Sequence, residues 1–173
     1  MKATNEIKMQ FASHSTNEMF ARVAIAAFVL PLDPTVEELA DIKTAVSEAV
    51  TNCIVHAYPD RLGVIHLTAR LYERRLVVTV KDAGIGIEDI AQAMTPMYTS
   101  CPDAERAGLG FAVMESFMDK LRVRSRPGKG TTVTMEKRIA DRAALQQAAA
   151  KPGRKRGRKP KAAPEPTLGD DHA

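Results

Sequence analysis

The sequence lacks any long apolar segment. A membrane-spanning helix needs roughly 20 consecutive apolar residues, and no such run occurs in the 173 residues of this chain. The N-terminus, MKATNEIKMQF, also lacks the apolar core of a signal peptide. We therefore expect no contact with a membrane and a location in the cytoplasm.

Cysteine is scarce, and no internal repeat is present. The two cysteines, Cys53 and Cys101, have neither metal-ligand spacing nor a disulfide framework around them. We expect both to be plain thiols. The length and the hydrophobic content of 45% allow one domain with a single core and leave no room for a second large domain.

Charge is unevenly distributed along the chain. Residues 1–140 contain 17 basic and 17 acidic side chains, which leaves eight of the 25 Lys and Arg and four of the 21 Asp and Glu for residues 141–173. The isoelectric point near 9.2 therefore does not indicate that the domain binds nucleic acid. We predict a domain over 1–140 and a disordered tail over 141–173, which is rich in Ala, Pro, Gly and Lys.

Residue periodicity predicts the order of helices and strands. Alternation over 6–11 predicts a strand at or near a sheet edge, and Ser15 with Glu18 forms a capping box before a helix over 16–29. Asp33 and Pro34 predict the start of a long helix that reaches Tyr58. Further along, the predicted elements are strands 65–72 and 76–81, a short helix 87–93, a loop 94–107, a helix 108–121, and strands 123–126 and 131–137. The resulting fold class is α/β (α+β), a two-layer sandwich with a mixed, largely antiparallel sheet and helices on one face.

The long helix carries Glu48, Asn52 and His56 at intervals of four, which places them on one face. A carboxylate at Glu48 could accept a proton from an attacking hydroxyl, and the carbonyl oxygen of Asn52 is a suitable ligand for Mg²⁺. The alternative is that Glu48 and Asn52 are solvated polar residues and that His56 is a packing residue.

Glycine marks two further places where a ligand could approach the backbone. Asp82 ends a strand before Gly84 and Gly86, so its carboxylate could accept the exocyclic amine of adenine, although Asp-x-Gly also favours a simple turn. The segment 108–111 opens a helix whose free N–H groups could hold phosphates, or it is only a structural turn. Thr131, after Gly130, is either a second adenine contact or part of a hairpin turn.

These four motifs, in this order, resemble the nucleotide-binding boxes of the GHKL superfamily, which includes gyrase, heat-shock chaperone, histidine-kinase and mismatch-repair ATPases. Within it, the chain is most similar to the small serine kinases that act as anti-sigma factors in sporulating bacteria. The likeness extends over roughly residues 4–138 and is strongest in segments 17–23, 32–35, 42–52, 105–111 and 114–119.

The resemblance implies a GHKL ATPase fold, ATP or ADP as ligand, and Mg²⁺. It implies that Asn52 binds the metal, Glu48 is the general base, and Asp82 recognises adenine with Gly84, Gly86 and Thr131. The phosphates would lie on Gly108, Leu109, Gly110 and Phe111 beneath a lid over 94–107, with Arg106 near the γ-phosphate. As a plain loop residue, Arg106 would instead be a solvated charge.

Partner binding is also implied by the resemblance. Arg22 would contact a sigma factor and an anti-anti-sigma antagonist in turn, although by sequence alone it is a surface charge. A homodimer through the first strand and helix is expected. The tail is a solubilising extension, or it makes a weak nucleic acid contact through residues 151–161.

The leading hypothesis is therefore an ATP-dependent serine kinase and anti-sigma factor of the sporulation type. The chain shows no helix pair with a phospho-accepting histidine before the domain and no transducer domain after residue 140, which argues against the histidine kinases, topoisomerases and chaperones. The alternatives are a stress-response anti-sigma kinase, a nucleotide-gated binding module without kinase turnover, and a DNA-associated protein.

Overall fold

The computed structural model describes residues 2–95 and 109–142, which form a layer of helices on an antiparallel sheet. In chain order, the elements are β1 (Asn5–Ala12), α1 (Thr16–Val29), a 3₁₀ turn (Leu30–Leu32), α2 (Val36–Asn52), a π-helical turn (Cys53–Ala57), β2 (Val64–Tyr72), β3 (Arg75–Lys81), α3 (Ile90–Ala93), α4 (Gly110–Phe117), β4 (Lys120–Arg126) and β5 (Gly130–Arg138). The predicted α+β class is confirmed.

The sheet has the order β1-β2-β3-β5-β4, and all four strand pairings are antiparallel. The prediction of a largely antiparallel sheet is thus confirmed. The parallel pairing that a mixed sheet would contain does not occur among the described strands. β1 lies at one edge, as its sequence predicted, and β4 lies at the other. No helix in the described ranges is long and apolar enough to span a membrane.

The core lies between the sheet and helices α1, α2 and α4. β2 buries every second residue from Ile65 to Leu71, which is the expected alternation for a strand covered on one face. The predicted apolar series of α2 is confirmed. Its buried members are Ile42, Val46, Ala49, Val50 and Cys53, while Leu39 is partly buried.

The predicted bounds of α1, 16–29, are confirmed, whereas the start predicted for α2 was wrong. Helix α2 is capped by Thr35, whose hydroxyl accepts the Glu38 N–H at 3.0 Å while the Glu38 carboxylate accepts the Thr35 N–H at 2.8 Å. This reciprocal pair satisfies two donors, whereas Asp33 ends the preceding 3₁₀ turn in a left-handed conformation with φ 51°. Pro34 consequently lies outside the helix.

The capping box predicted at the start of α1 does not form. Ser15 already has helical backbone angles and makes no capping bond with its side chain. The carboxylate of Glu18 accepts a hydrogen bond from the hydroxyl of Ser47 in α2 and pairs with Arg22. A contact between two helices therefore replaces the local one.

Three predicted helices are shorter in the structure. Helix α2 ends at Asn52 and continues as the π-helical turn, α4 ends at Phe117 because β4 begins at Lys120, and α3 covers only Ile90–Ala93. Beyond the π turn, the Tyr58 hydroxyl accepts the Ala83 N–H at 2.8 Å and donates to the Val64 carbonyl at 2.9 Å. These bonds hold the end of the helix against two strands. Most of the predicted 94–107 loop lies outside the described residues.

Candidate functional site

A cavity of about 430 Å³ opens between α2, the bend after β3, and the starts of α4 and β5. It brings together most of the site residues predicted from the sequence. Those that line it are Glu48, Asn52, Asp82, Gly86, Leu109, Gly110, Phe111 and Thr131. Residues from four separate elements therefore meet around one space.

Four predicted residues are not placed there. Arg22 lies on α1, where its Nε is 3.7 Å from Glu18, and it does not line the cavity. Gly84 is not among the lining residues either. Arg106 and Gly108 lie outside the described residues, so their roles stay predictions.

Asp82 is the most enclosed polar group of the site, with 3% of its surface exposed. Its Oδ1 accepts the N–H of Gly84 at 2.9 Å and the N–H of Thr131 at 3.1 Å. Its Oδ2 accepts a hydrogen bond from the Cys53 thiol at 3.6 Å. An ionised carboxylate has roughly four acceptor positions, so three are used within the protein and the one left for a ligand is on Oδ2.

Cys53 is a site residue that the sequence interpretation missed. It is buried, and it lines the cavity next to Asp82. Burial raises the pKa of the Cys53 thiol well above its ordinary value, and the negative charge of Asp82 acts in the same direction. The thiol therefore stays protonated and serves as a donor to the carboxylate. Its position directly after Asn52 was the only available signal.

The two glycines after Asp82 allow backbone segments to pack closely. A Cβ at Gly84 would lie 2.1 Å from the carbonyl oxygen of Ala57, which accepts the Ile85 N–H at 3.0 Å. Gly86 has φ +75°, and a Cβ there would lie 2.2 Å from the carbonyl oxygen of Arg126. The glycines thus fix the bend against the π turn and the β4–β5 turn, and their contact with a base stays a prediction.

Glu48 and Asn52 converge on the first residue of α4. A Cβ at Gly110 would lie 3.1 Å from Glu48 Oε2 and 3.1 Å from Asn52 Oδ1. The residue before the helix, Leu109, provides no capping side chain. With respect to residues 2–95 and 109–142, the first N–H groups of α4 are therefore available to an anion beside a carboxylate and an amide.

His56 also lines the cavity, from within the π turn. Its Nδ1 is buried and has no hydrogen-bond partner among the described residues. Burial lowers the pKa of His56, which favours the neutral imidazole at neutral pH. The sequence indicated a histidine that packs or supports the site residues rather than a phosphate acceptor, and the structure places it on the cavity wall.

Comparison with known proteins assigns this chain to a family. A family model described as a histidine kinase-like ATPase domain matches residues 14–137. The anti-sigma F factor of Clostridium novyi is 57% identical over 136 residues, which are 78% of this chain and 95% of that protein. The chain belongs to the anti-sigma F factor family of the GHKL superfamily.

Further members of the family show similar sequence identity and coverage. The anti-sigma F factor of Caldanaerobacter subterraneus subsp. tengcongensis is 53% identical over 139 residues, covering 80% of this chain and 97% of that protein. The one from Clostridium acetobutylicum is 53% identical over 136 residues, covering 79% and 95%. A solved histidine kinase domain from Erythrobacter litoralis is 24% identical, with a TM-score of 0.47, and covers 72% of this chain and 62% of that one.

The ATPase domain of the family implies nucleotide binding, and the residues of this cavity fit a nucleotide with its cation. In residues 2–95 and 109–142, no three His, Cys, Asp or Glu side chains form a metal site by themselves. Mg²⁺ usually keeps several waters and takes its other ligands from phosphates and one or two protein oxygens. The carbonyl oxygen of Asn52, beside Gly110 at the start of α4, suits that pattern.

Proposed function

We propose that this protein is an ATP-dependent protein serine kinase that also binds and inhibits an RNA polymerase sigma factor of the sporulation type. Its kinase substrate is a small anti-anti-sigma antagonist, phosphorylated on serine. The observation that supports this most directly is the convergence of Glu48 and Asn52 on the start of α4, with Asp82 in the same cavity. Such a protein acts in the cytoplasm, where sigma factors work.

Each residue has a distinct part in this proposal. Asp82 orients the adenine by accepting an N–H on Oδ2, and the first N–H groups of α4 hold the phosphates. Asn52 binds Mg²⁺, and Glu48 accepts the proton of the serine hydroxyl. Mg-ATP supplies the phosphoryl group, so that phosphoserine and ADP are the products. Arg106 is proposed to stabilise the charge that develops on the transferred group.

The hydrogen bonds of Asp82 also support a preference for adenine. Both acceptor positions of Oδ1 are occupied by backbone N–H groups, and the carboxylate can only accept. A base that presents a donor to Oδ2 is favoured, whereas the O6 acceptor of guanine would face a negative charge. We infer that ADP and ATP bind in preference to GDP and GTP.

The outer face of α1 supports a protein partner on this helix. Met19, Phe20 and Val23 are between 57% and 60% exposed there, and Arg22 lies among them. Exposed apolar side chains beside a cation are typical of protein interfaces. We propose that α1 and the edge strand β1 provide the surface for the homodimer, and that Arg22 contacts the sigma factor and the antagonist.

The kinase assignment is tested with Mg-ATP and a purified antagonist from a sporulating bacterium. Glu48→Gln should slow phosphotransfer by roughly 10²- to 10⁴-fold while ADP affinity changes little. Glu115→Gln is the matched control, because this exposed carboxylate lies on α4 away from the cavity. Equal rates for Glu48→Gln and the unsubstituted protein would remove the general base from the proposal.

Sigma binding needs a separate measurement. The full chain should retain a sporulation sigma factor in the presence of ATP, and Arg22→Ala should weaken that binding. Retention that depends on ATP without any phosphotransfer would support the nucleotide-gated module instead. Retention of a stress-response sigma factor alone would move the protein to the other branch of the family.

A further inference from the structure

Strand β4 presents a basic side chain at every second position. Lys120, Arg122, Arg124 and Arg126 are exposed, while the residues between them are partly buried. Alternate residues of a strand lie on the same face of a sheet. The four cations therefore lie on the face opposite the helices.

The strand register extends this pattern across the sheet. Arg124 is opposite Thr132 in β5, and Thr132 is opposite Lys81 in β3. Arg122 is opposite Thr134 in the same way. We call Lys81, Arg122, Arg124 and Arg126 the basic face; threonine hydroxyls lie between its members.

The basic face has no acidic partner in the described part of the chain. Glu136, the acidic residue of β5 on this side, pairs with Arg75 at 2.9 Å and with Lys120 at 3.6 Å. None of the ion pairs within residues 2–95 and 109–142 includes a member of the basic face. Four positive charges are thus concentrated on β3 and β4, which are separated only by β5, and neighbouring strands lie about 4.8 Å apart.

The composition of the basic face distinguishes between anionic partners. The large exposed apolar side chains lie elsewhere, as in Phe20 of α1 and Ile85 of the bend, and a stable protein interface needs an apolar centre. No aromatic side chain lies within the basic face to stack on unpaired bases. Arginine, lysine and threonine are suited to phosphate oxygens.

We propose that the basic face binds the phosphate backbone of double-stranded nucleic acid without reading its sequence. Neighbouring residues of β5 separate this surface from the nucleotide cavity, because Thr131 lines the cavity and Thr132 lies on the basic face. Duplex binding and ADP binding should therefore not compete.

The test measures the affinity of the full chain for a short labelled DNA duplex at several salt concentrations, with saturating ADP. The logarithm of the affinity falls with the logarithm of salt concentration by about 0.9 for each phosphate neutralised. The triple variant Arg122→Gln, Arg124→Gln, Arg126→Gln should reduce this slope by about 2 to 3. Its ADP affinity should be unchanged, which shows that it is folded.

The tail provides a control with the same change in charge. The triple variant Arg154→Gln, Lys155→Gln, Arg156→Gln removes three cations from residues 151–161. The β4 substitutions should reduce the slope equally in the native and the tail-substituted chains. The proposal is overturned if they leave the slope unchanged in both chains, if ADP displaces the duplex, or if an acidic peptide binds this surface and the duplex does not.

Discussion

Replacing Asp82 by Asn should change the base preference of the cavity while preserving the bend after β3. Oδ1 of Asp82 accepts the N–H groups of Gly84 and Thr131 at 2.9 and 3.1 Å, and an amide oxygen can accept both. The other oxygen becomes an NH₂ group beside the Cys53 thiol. The atom that faces the base thus changes from an acceptor to a donor.

The expected magnitude follows from these hydrogen bonds. A hydrogen bond to a charged group contributes about 1.5–3 kcal/mol, so the loss of the bond from adenine to Oδ2 should weaken ADP binding by roughly 10- to 150-fold. The two backbone N–H bonds become neutral and lose about 1 kcal/mol each. Since Asp82 is almost fully buried, little of this effect is screened by solvent.

Titration calorimetry with ADP and GDP on the unsubstituted and Asp82→Asn proteins would measure the change. GDP affinity should fall less than ADP affinity, or rise, because the O6 acceptor of guanine meets a donor. Asp89→Asn is the control, as it removes the same charge from an exposed residue of the cavity wall. Equal losses for both nucleotides in a folded Asp82→Asn protein would refute the role of Asp82 as a directional acceptor.

Three further predictions concern stability. Thr35→Ala should lower the free energy of unfolding by about 0.5–2 kcal/mol through loss of the cap, measured by urea denaturation; Thr35→Ser should restore it, and an unchanged midpoint for Thr35→Ala would show that the cap contributes nothing. Gly84→Ala should lower the melting temperature more than Gly128→Ala, because only the first substitution places a Cβ against a carbonyl oxygen; the reverse order would contradict this. Because burial lowers the pKa of His56 in the folded protein, the unfolded chain binds more protons below about pH 6.5. The free energy of unfolding should therefore fall as the pH drops below about 6.5. His56→Gln should reduce the dependence of this free energy on pH; an identical dependence in both proteins would contradict the lowered pKa of His56.

The parts of the site that the sequence predicted depend on local repetition. Glu48 and Asn52 share a face because a helix turns every 3.6 residues, and Asp82 precedes glycines at the end of an alternating strand. The N-cap of α2 depended on which of two neighbouring residues, Asp33 or Thr35, could form a capping box. Thr35 replaced Asp33 because only Thr35 has a glutamate at the required interval, a comparison that the sequence also allowed.

Other features depend on contacts between distant residues. The Cys53–Asp82 hydrogen bond joins positions 29 apart, and Gly84 is required by the carbonyl oxygen of Ala57 rather than by its own turn. The distribution of charge over the domain surface also depends on contacts between distant residues. Residues 1–140 are neutral by count, yet the register of β3, β5 and β4 concentrates cations on one face, which no count along the chain could predict.

The π-helical turn after α2 makes the number of residues between Asn52 and Tyr58 critical. A π turn accommodates one residue more per turn than an α-helix. Inserting a further residue into Cys53–Ala57 would exceed this wider winding and rotate everything beyond it by about 100°. The ring of Tyr58 would then leave both the Ala83 N–H and the Val64 carbonyl. Homologues should therefore tolerate exchanges of side chains in this turn far more readily than the insertion of a further residue.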